Sequence, residues 1–110
     1  MNINTSEDAY KELDKLSKEW ATCEKQVIIL DEGKKATFSK CFLKHKQFVK
    51  TTSEAEHLAR TDDEYKKVVH ALADAESNLI KARYGYNNLD RYLSYKQTEM
   101  KTNIQLMNKQ

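Results

Sequence analysis

Apolar residues in the second half of the chain recur at intervals of seven. One heptad position is occupied by Tyr65, Leu72, Leu79, Tyr86, Leu93, Met100 and Met107, and a second by Val68, Ala75, Ala82 and Leu89. Alternating steps of three and four are typical of a helix with one apolar seam. The register continues through Gly85, so the pattern predicts one helix over about 62–108 instead of a turn at Gly85–Asn88.

A comparable seam begins near the start of the chain. Its members are Ala9, Leu13, Leu16, Trp20, Cys23, Val27 and Leu30, followed after Gly33 by a shifted stripe of Phe38, Cys41, His45 and Phe48. The step of eleven from Val27 to Phe38 is typical of a stutter, which changes the phase of a coiled coil without ending the helix. The pattern predicts a first helix over about 6–50.

A β-hairpin is the alternative for the middle of this segment. Residues 26–30 and 36–43 contain β-branched and aromatic residues, and Asp31–Gly33 between them suits a turn. The helix is favoured because the seam runs into Val27 and Leu30 without a change of spacing. The chain also has no proline and two glycines, so it has few of the residues that make tight turns.

Three short motifs resemble helix capping signals, in which a hydroxyl residue precedes an acid by three positions. They are Thr5–Asp8, Ser53–Glu56 and Thr61–Glu64. The first is expected to begin the first long helix, the second a short helix of about 53–59, and the third the second long helix. A turn around Arg60–Thr61 then precedes the second long helix.

Two long helices with a break near residue 60 predict an all-α fold. We expect a long, antiparallel, coiled-coil-like helical hairpin in a single domain of residues 1–110. The net charge of +2 divides into −4 over 1–32, +6 over 33–53, −4 over 54–76 and +4 over 77–110. Reversal near residue 61 lays the acidic first third along the basic last third, which supports the antiparallel direction.

The chain has more apolar surface than one seam uses. Wide apolar surfaces are typical of helices with more than one neighbour. We therefore predict that two hairpins dimerise into a four-helix bundle with two-fold symmetry. The residues expected at the interface with a second copy or with another protein are Trp20, Phe38, Phe42, Tyr84, Tyr86, Tyr92 and Tyr95.

Residues 33–53 contain six lysines and no acid, beside three phenylalanines. Cations beside rings that can stack on bases suggest nucleic-acid binding as an alternative function. The candidate contacts are Lys34, Lys35, Lys40, Lys44, Lys46, Lys50, Arg83 and Arg91. The competing interpretation, favoured by the helical spacing of the phenylalanines, places these rings in the core with the lysines as its solvated border.

The residue types that carry catalysis or bind metals form no familiar pattern. His45, His57 and His70 share no metal-ligand spacing with each other or with the cysteines, and no glycine-rich phosphate loop is present. We expect no enzymatic activity, no cofactor and no metal site, and reduced thiols at Cys23 and Cys41. No apolar run approaches the roughly 18 residues of a membrane span and no signal peptide is recognisable, so the expected location is the cytoplasm.

Residues 53–103 resemble a group of small helical proteins encoded by tailed bacteriophages. The shared features are an acid-rich helix end, a Glu-Tyr helix start, an alanine- and leucine-rich stretch, an Ala-Arg step with tyrosine, and a polar end. Here they are Glu54–Arg60, Glu64–Tyr65, Leu72–Leu79, Ala82–Tyr86 and Leu89–Glu99. The resemblance implies a phage accessory protein in the host cytoplasm, from a group whose functions are mostly unassigned. It implies no catalytic residue.

Together these features predict a non-enzymatic, homo-oligomeric helical interaction protein. If the chain is phage-encoded, the expected partner is a host or phage DNA-processing or defence factor. The alternative is a nucleic-acid-binding accessory protein that uses the basic residues 33–53.

Overall fold

The computed structural model describes residues 6–108, and these form three α-helices. They are α1 (Ser6–Lys46), α2 (Thr52–Thr61) and α3 (Asp63–Asn108). No strand occurs in this range, so the all-α prediction is confirmed and the β-hairpin alternative is wrong. α3 continues through Gly85, as its heptad register predicts. None of the helices in this range is both long and apolar enough to cross a bilayer.

The first helix ends at Lys46, earlier than the expected end near residue 50. Lys44 and Lys46 occupy its last turn, where positive charge interacts favourably with the negative end of the helix dipole. The amide of Phe48 donates to the carbonyl of His45 at 3.0 Å and closes this turn. Phe48 lies past the helix end, is 81% exposed, and does not continue the apolar stripe of α1.

The short helix α2 begins one residue before its predicted start. Its cap is Thr51 instead of Ser53, because the Thr51 hydroxyl oxygen accepts from the Glu54 amide at 3.2 Å. Thr51 has the extended backbone of a capping residue, with φ −112° and ψ 149°. The first predicted cap, Thr5, lies outside the described residues.

The cap of α3 is Asp62, and the predicted capping role of Thr61 is wrong. Oδ1 of Asp62 accepts from the Glu64 amide at 2.9 Å. The Thr61 hydroxyl instead donates to the carbonyls of residues 57 and 58 within α2. A carboxylate at this position also places negative charge at the positive end of the helix dipole.

The described chain divides into two compact units. The two-helix unit consists of the described residues of Met1–Ala21 and Ile80–Gln110, which belong to α1 and α3. The three-helix unit is Thr22–Leu79, and it contains parts of α1 and α3 together with all of α2. The single domain over residues 1–110 stays a prediction.

In the two-helix unit, α1 and α3 pack antiparallel along the predicted seam. Ala9, near the start of α1, lines a groove with Leu93 of α3. Farther along α1, Trp20 contacts Tyr86, with ring centroids 5.5 Å apart. Residue numbers thus rise along α1 as they fall along the facing part of α3, as in any antiparallel pair of helices. Ala9 and Leu89 are buried in this seam.

The seam of α3 is covered only as far as Leu93. All residues of 94–108 are exposed, and Met100 and Met107 are 63% and 72% exposed although they occupy seam positions. The described part of α1 begins at Ser6, so α3 extends beyond the stretch of α1 against which its seam packs.

Small side chains allow close packing in the three-helix unit. Ala55 and Ala59, one turn apart on α2, are each 0% exposed, and Leu72 of α3 is 6% exposed. α2 lies against α1, since the guanidinium carbon of Arg60 is 5.7 Å from the centroid of the Phe38 ring. The distance between helix axes depends on the side chains at the contact, and alanine permits a short one.

α1 and α3 also run antiparallel within the three-helix unit. Leu30 of α1 and Ala71 of α3 line one groove, whereas Phe38 and Tyr65 meet farther along with ring centroids 5.5 Å apart. Both cysteines, at positions 23 and 41, are free thiols, and the second is 0% exposed.

Candidate functional site

One side of α3 in the two-helix unit carries large apolar side chains that face solvent. Its members, which we name the α3 stripe, are Ile80 (51% exposed), Tyr84 (66%), Tyr95 (66%) and Leu106 (57%). At about 100° per residue they lie within an arc of about 80°, roughly opposite the seam that contains Leu89. Apolar residues on two sides are typical of a helix with a second neighbour.

Three of the aromatic residues predicted to form an interface pack inside the chain. Trp20 and Tyr86 face each other in the two-helix unit, and the guanidinium of Arg83 lies 5.8 Å from the centroid of the Trp20 ring. Phe38 packs edge-on against Tyr65 in the three-helix unit. All three are half-buried, so contacts within the chain already cover part of their apolar surface.

The other four predicted interface residues are Phe42, Tyr84, Tyr92 and Tyr95. Tyr84 and Tyr95 belong to the α3 stripe, and Tyr92 is 50% exposed with the Lys96 ammonium 5.8 Å from its ring. Phe42 is half-buried and lines a groove between α1 and α2. Five of the seven aromatic residues therefore belong to the two-helix unit, and the two phenylalanines belong to the three-helix unit.

Acidic side chains lie beside the lysine-rich segment in the folded chain. Lys40 Nζ is 2.8 Å from Glu64 Oε1, and Lys44 Nζ is 3.1 Å from Asp62 Oδ2. Lys35 contacts two acids in the preceding turn of α1. The positive charge of residues 33–53 is therefore partly neutralised by acids from outside that segment.

The remaining candidate nucleic-acid contacts have varied surroundings. Lys46 donates to the carbonyl of Lys50 at 3.3 Å, and Lys34 is half-buried. Arg83 and Arg91 belong to the two-helix unit, whereas the six lysines belong to the three-helix unit. The structure thus does not gather the eight cations within one unit.

A second group of chemically active side chains lies where the α2–α3 junction meets the end of α1. Its members, which we name the junction cluster, are Cys41, His45, Asp62 and Glu64. His45 Nε2 is 2.9 Å from Asp62 Oδ2, and because an ionised carboxylate only accepts, Nε2 donates. The Cys41 sulfur and one carboxylate oxygen each from Asp62 and Glu64 all lie within 4.8 Å of one another.

Asp62 is the centre of the junction cluster, and its side chain is 9% exposed. Hydrogen bonds from His45, from the Glu64 amide and from Lys44, the first contributing most, hold the pKa of its carboxyl well below the usual range. The bond to Asp62 also raises the pKa of Lys44. Burial raises the pKa of the Cys41 thiol, and the nearby carboxylates act in the same direction.

The junction cluster is the group that sequence reasoning missed. The available signal was the four-residue spacing of Cys41 and His45, which places both on one face of α1. Asp62 and Glu64 read as capping residues in the sequence. Their proximity to α1 depends on how α1 and α3 are aligned, which the local sequence does not encode.

Comparisons with known proteins assign this chain to no group. No protein family, no curated protein and no solved structure matches it.

Proposed function

We propose that this protein is a non-enzymatic helical interaction protein that associates with a second copy of itself through the α3 stripe. The observation that carries the proposal is the exposure of four large apolar side chains on the side of α3 opposite its seam. Removing apolar surface from water contributes roughly 25 cal/mol per Å² to the free energy of association. A second helix packed on the stripe supplies this contribution.

The order of residues along the stripe suits an antiparallel, two-fold symmetric pairing. Ile80 and Leu106 are each thirteen positions from residue 93, and Arg91 and Tyr95 are each two positions from it. In antiparallel helices centred there, Ile80 of one copy meets Leu106 of the other. Arg91, which lies on the same arc, then meets Tyr95 in a favourable cation–π arrangement. Such a dimer contains four long helices, two from each copy.

The proposal extends to a partner of a different kind. The resemblance of residues 53–103 to phage-encoded accessory proteins supports a host or phage DNA-processing or defence factor, bound in the host cytoplasm. Purified candidates of that class are to be titrated against the dimer. Saturable binding supports this extension, and its absence across the class contradicts the extension without affecting the dimer.

Nucleic-acid binding through residues 33–53 is the second candidate, and the ion pairs of Lys40 and Lys44 with acids reduce its support. Titration of labelled single- and double-stranded DNA at two salt concentrations separates the candidates. Affinity that falls steeply with salt indicates phosphate contacts. No binding at low salt favours protein interaction.

The mass of the full chain in solution tests the proposed dimer. We expect sedimentation equilibrium to give twice the chain mass of 12.9 kDa. The double variant Tyr95→Ser, Leu106→Ser is expected to give the monomer mass. The dissociation constant of its dimer should be at least tenfold higher than that of the wild type. The circular dichroism of this variant should remain helical, because neither side chain lies in the seam.

The matched control changes Ile28 and Ile29 to serine. These residues are 64% and 53% exposed in the three-helix unit, so they are as accessible as the stripe but lie outside it. The control should remain dimeric. A monomeric wild type at about 100 μM, or a stripe variant that stays dimeric, contradicts the proposal.

A distance measurement tests whether the two α3 helices of the dimer pair antiparallel. A nitroxide label on Leu106→Cys, in a Cys23→Ser background, reports the distance between equivalent positions in the two copies. Antiparallel pairing centred on residue 93 separates them by about 39 Å, at 1.5 Å rise per residue. A short distance, below about 20 Å, indicates parallel helices.

A further inference from the structure

The junction cluster combines the ligand types that a borderline transition metal prefers. Cys41 offers sulfur, His45 offers a ring nitrogen, and Asp62 and Glu64 offer carboxylate oxygens. Zinc binds this set of atoms, whereas calcium and magnesium favour oxygen ligands alone. The two ligands of α1 come from successive turns of one helix face, and the other two lie on either side of the start of α3.

The distances among three of the four ligands are close to those of a closed site. The sulfur of Cys41 and the carboxylate oxygens of Asp62 and Glu64 lie within 4.8 Å of one another, and His45 Nε2 touches Asp62. Bond lengths of about 2.3 Å to sulfur and 2.0 Å to nitrogen or oxygen place tetrahedral ligands roughly 3.3–3.6 Å apart. An adjustment of about 1–1.5 Å brings the sulfur and the two carboxylate oxygens to that spacing, and His45 Nε2 lies 2.9 Å from Asp62 Oδ2 as the fourth ligand.

We propose that Cys41, His45, Asp62 and Glu64 bind a divalent transition-metal ion of the zinc type. The site goes beyond the proposed function and does not depend on it. The ion connects the last turns of α1 to the start of α3, beside the non-helical Asp62 that separates α2 from α3. Its role is structural, since all four ligand positions are filled by the protein.

Binding rearranges the groups that now contact these ligands. Lys40 and Lys44 give up their contacts with Glu64 and Asp62, and both lysine side chains are exposed, so they move into solvent. Coordination also releases the thiol proton of Cys41 to solvent, and His45 binds through Nε2 as the neutral ring with its proton on Nδ1, since metals bind the thiolate and the neutral imidazole. The ion thus replaces the two ammonium groups as the positive charge at the junction.

Cobalt(II) provides the direct test on the full chain. One equivalent is expected to produce the thiolate-to-cobalt charge-transfer absorption and the intense visible bands of tetrahedral cobalt, and zinc added afterwards should remove both. Zinc alone should raise the midpoint of thermal unfolding, because an ion that binds only the folded chain stabilises it.

Two pairs of variants separate this site from nonspecific binding. Cys41→Ser is expected to abolish the charge-transfer band and to weaken zinc binding at least tenfold, whereas Cys23→Ser retains both. His45→Ala is expected to weaken binding, whereas His57→Ala, a change at an exposed histidine of α2, leaves it unchanged. Equal effects within either pair overturn the assignment.

A spectroscopic measurement on the unaltered chain covers the case in which Cys41→Ser fails to fold. X-ray absorption at the zinc edge should show one sulfur and about three nitrogen or oxygen neighbours. A sulfur-free shell, or no zinc retained after dialysis, contradicts the proposal.

Discussion

The three-helix and two-helix units bury their apolar residues to different extents. The buried residues of the first are Cys41, Ala55, Ala59, Leu72 and Ala75, and those of the second are Ala9 and Leu89. In the first, α2 and α3 both pack against α1 at Phe38. In the described part of the second, each helix has one neighbour. The third helix therefore adds buried residues to its unit, although Ile28 and Ile29 of the same unit stay exposed.

The ion pairs of the two units differ as well. In the three-helix unit, Lys40–Glu64 and Lys44–Asp62 connect α1 to the α2–α3 junction. In the two-helix unit, the pairs Lys11–Glu7, Lys18–Asp14 and Lys96–Glu99 each join residues of one helix. Pairs in which both side chains are exposed contribute about 0–1 kcal/mol to the free energy of unfolding, so the three pairs of the two-helix unit add little to its stability.

The largest expected effect of a substitution is on the core of the three-helix unit. Leu72→Ala should lower the free energy of unfolding by about 2–5 kcal/mol, because it leaves a cavity among closely packed helices. Leu89→Ala should lower the free energy of unfolding by less, since the helices of the two-helix unit can move into the cavity or water can fill it. Urea unfolding measures both.

Ile28→Ala is the control for Leu72→Ala, because its side chain is 64% exposed in the same unit. It should change the free energy of unfolding by less than about 0.5 kcal/mol. A Leu89→Ala cost equal to or above that of Leu72→Ala contradicts the contrast between the units.

The next effect concerns the helix that only the three-helix unit contains. Thr51→Ala should lower the free energy of unfolding by about 1 kcal/mol, because the Glu54 amide loses its capping oxygen. Ser53→Ala should have almost no effect, although Ser53 matches the capping motif. Urea unfolding of the two variants decides between the caps, and a larger loss for Ser53→Ala excludes the Thr51 cap.

The smallest effects are expected from the two glycines, one in each unit. A Cβ built at Gly85 meets Leu16 Cδ2 at 3.7 Å, an ordinary contact, and one built at Gly33 meets nothing within 4 Å. Both residues lie inside helices, so changing either to alanine should stabilise the protein by about 0.5–1 kcal/mol. Thermal unfolding measures each, and a loss of stability for Gly85→Ala indicates tighter helix packing at that seam than the structure has.

The sequence predicts the seams well and the polar contacts poorly. Tyr86 and Leu89 keep the heptad register on the far side of Gly85, so a continuous α3 follows from spacing alone. The caps are harder to predict, since Thr51, Ser53, Thr61 and Asp62 all have side chains that suit a cap. Backbone conformation, which depends on how α2 is placed, decides which of them accepts the amide.

Of the two candidate sites, one could be predicted from the sequence and the other could not. The tyrosines of the α3 stripe are recognisable because they lie off the seam at helical spacing. The junction cluster cannot be recognised in the sequence, since Cys41 and Glu64 are separated by twenty-three positions and meet only in the folded chain. The lysines of residues 33–53 appear unpaired in the sequence, yet the fold brings acids to two of them from the start of α3 and the residue before it.

The sequence by itself determined that this protein is built of helices, which faces are apolar, and that the helix passes Gly85. These properties depend on spacing along a single chain, and a helix repeats every 3.6 residues whatever lies beside it. The tertiary structure alone decided which apolar faces are covered, which hydroxyl or carboxylate caps each helix, and which charges meet. These depend on the alignment of one helix against another, because a shift of a single turn exchanges every opposing side chain.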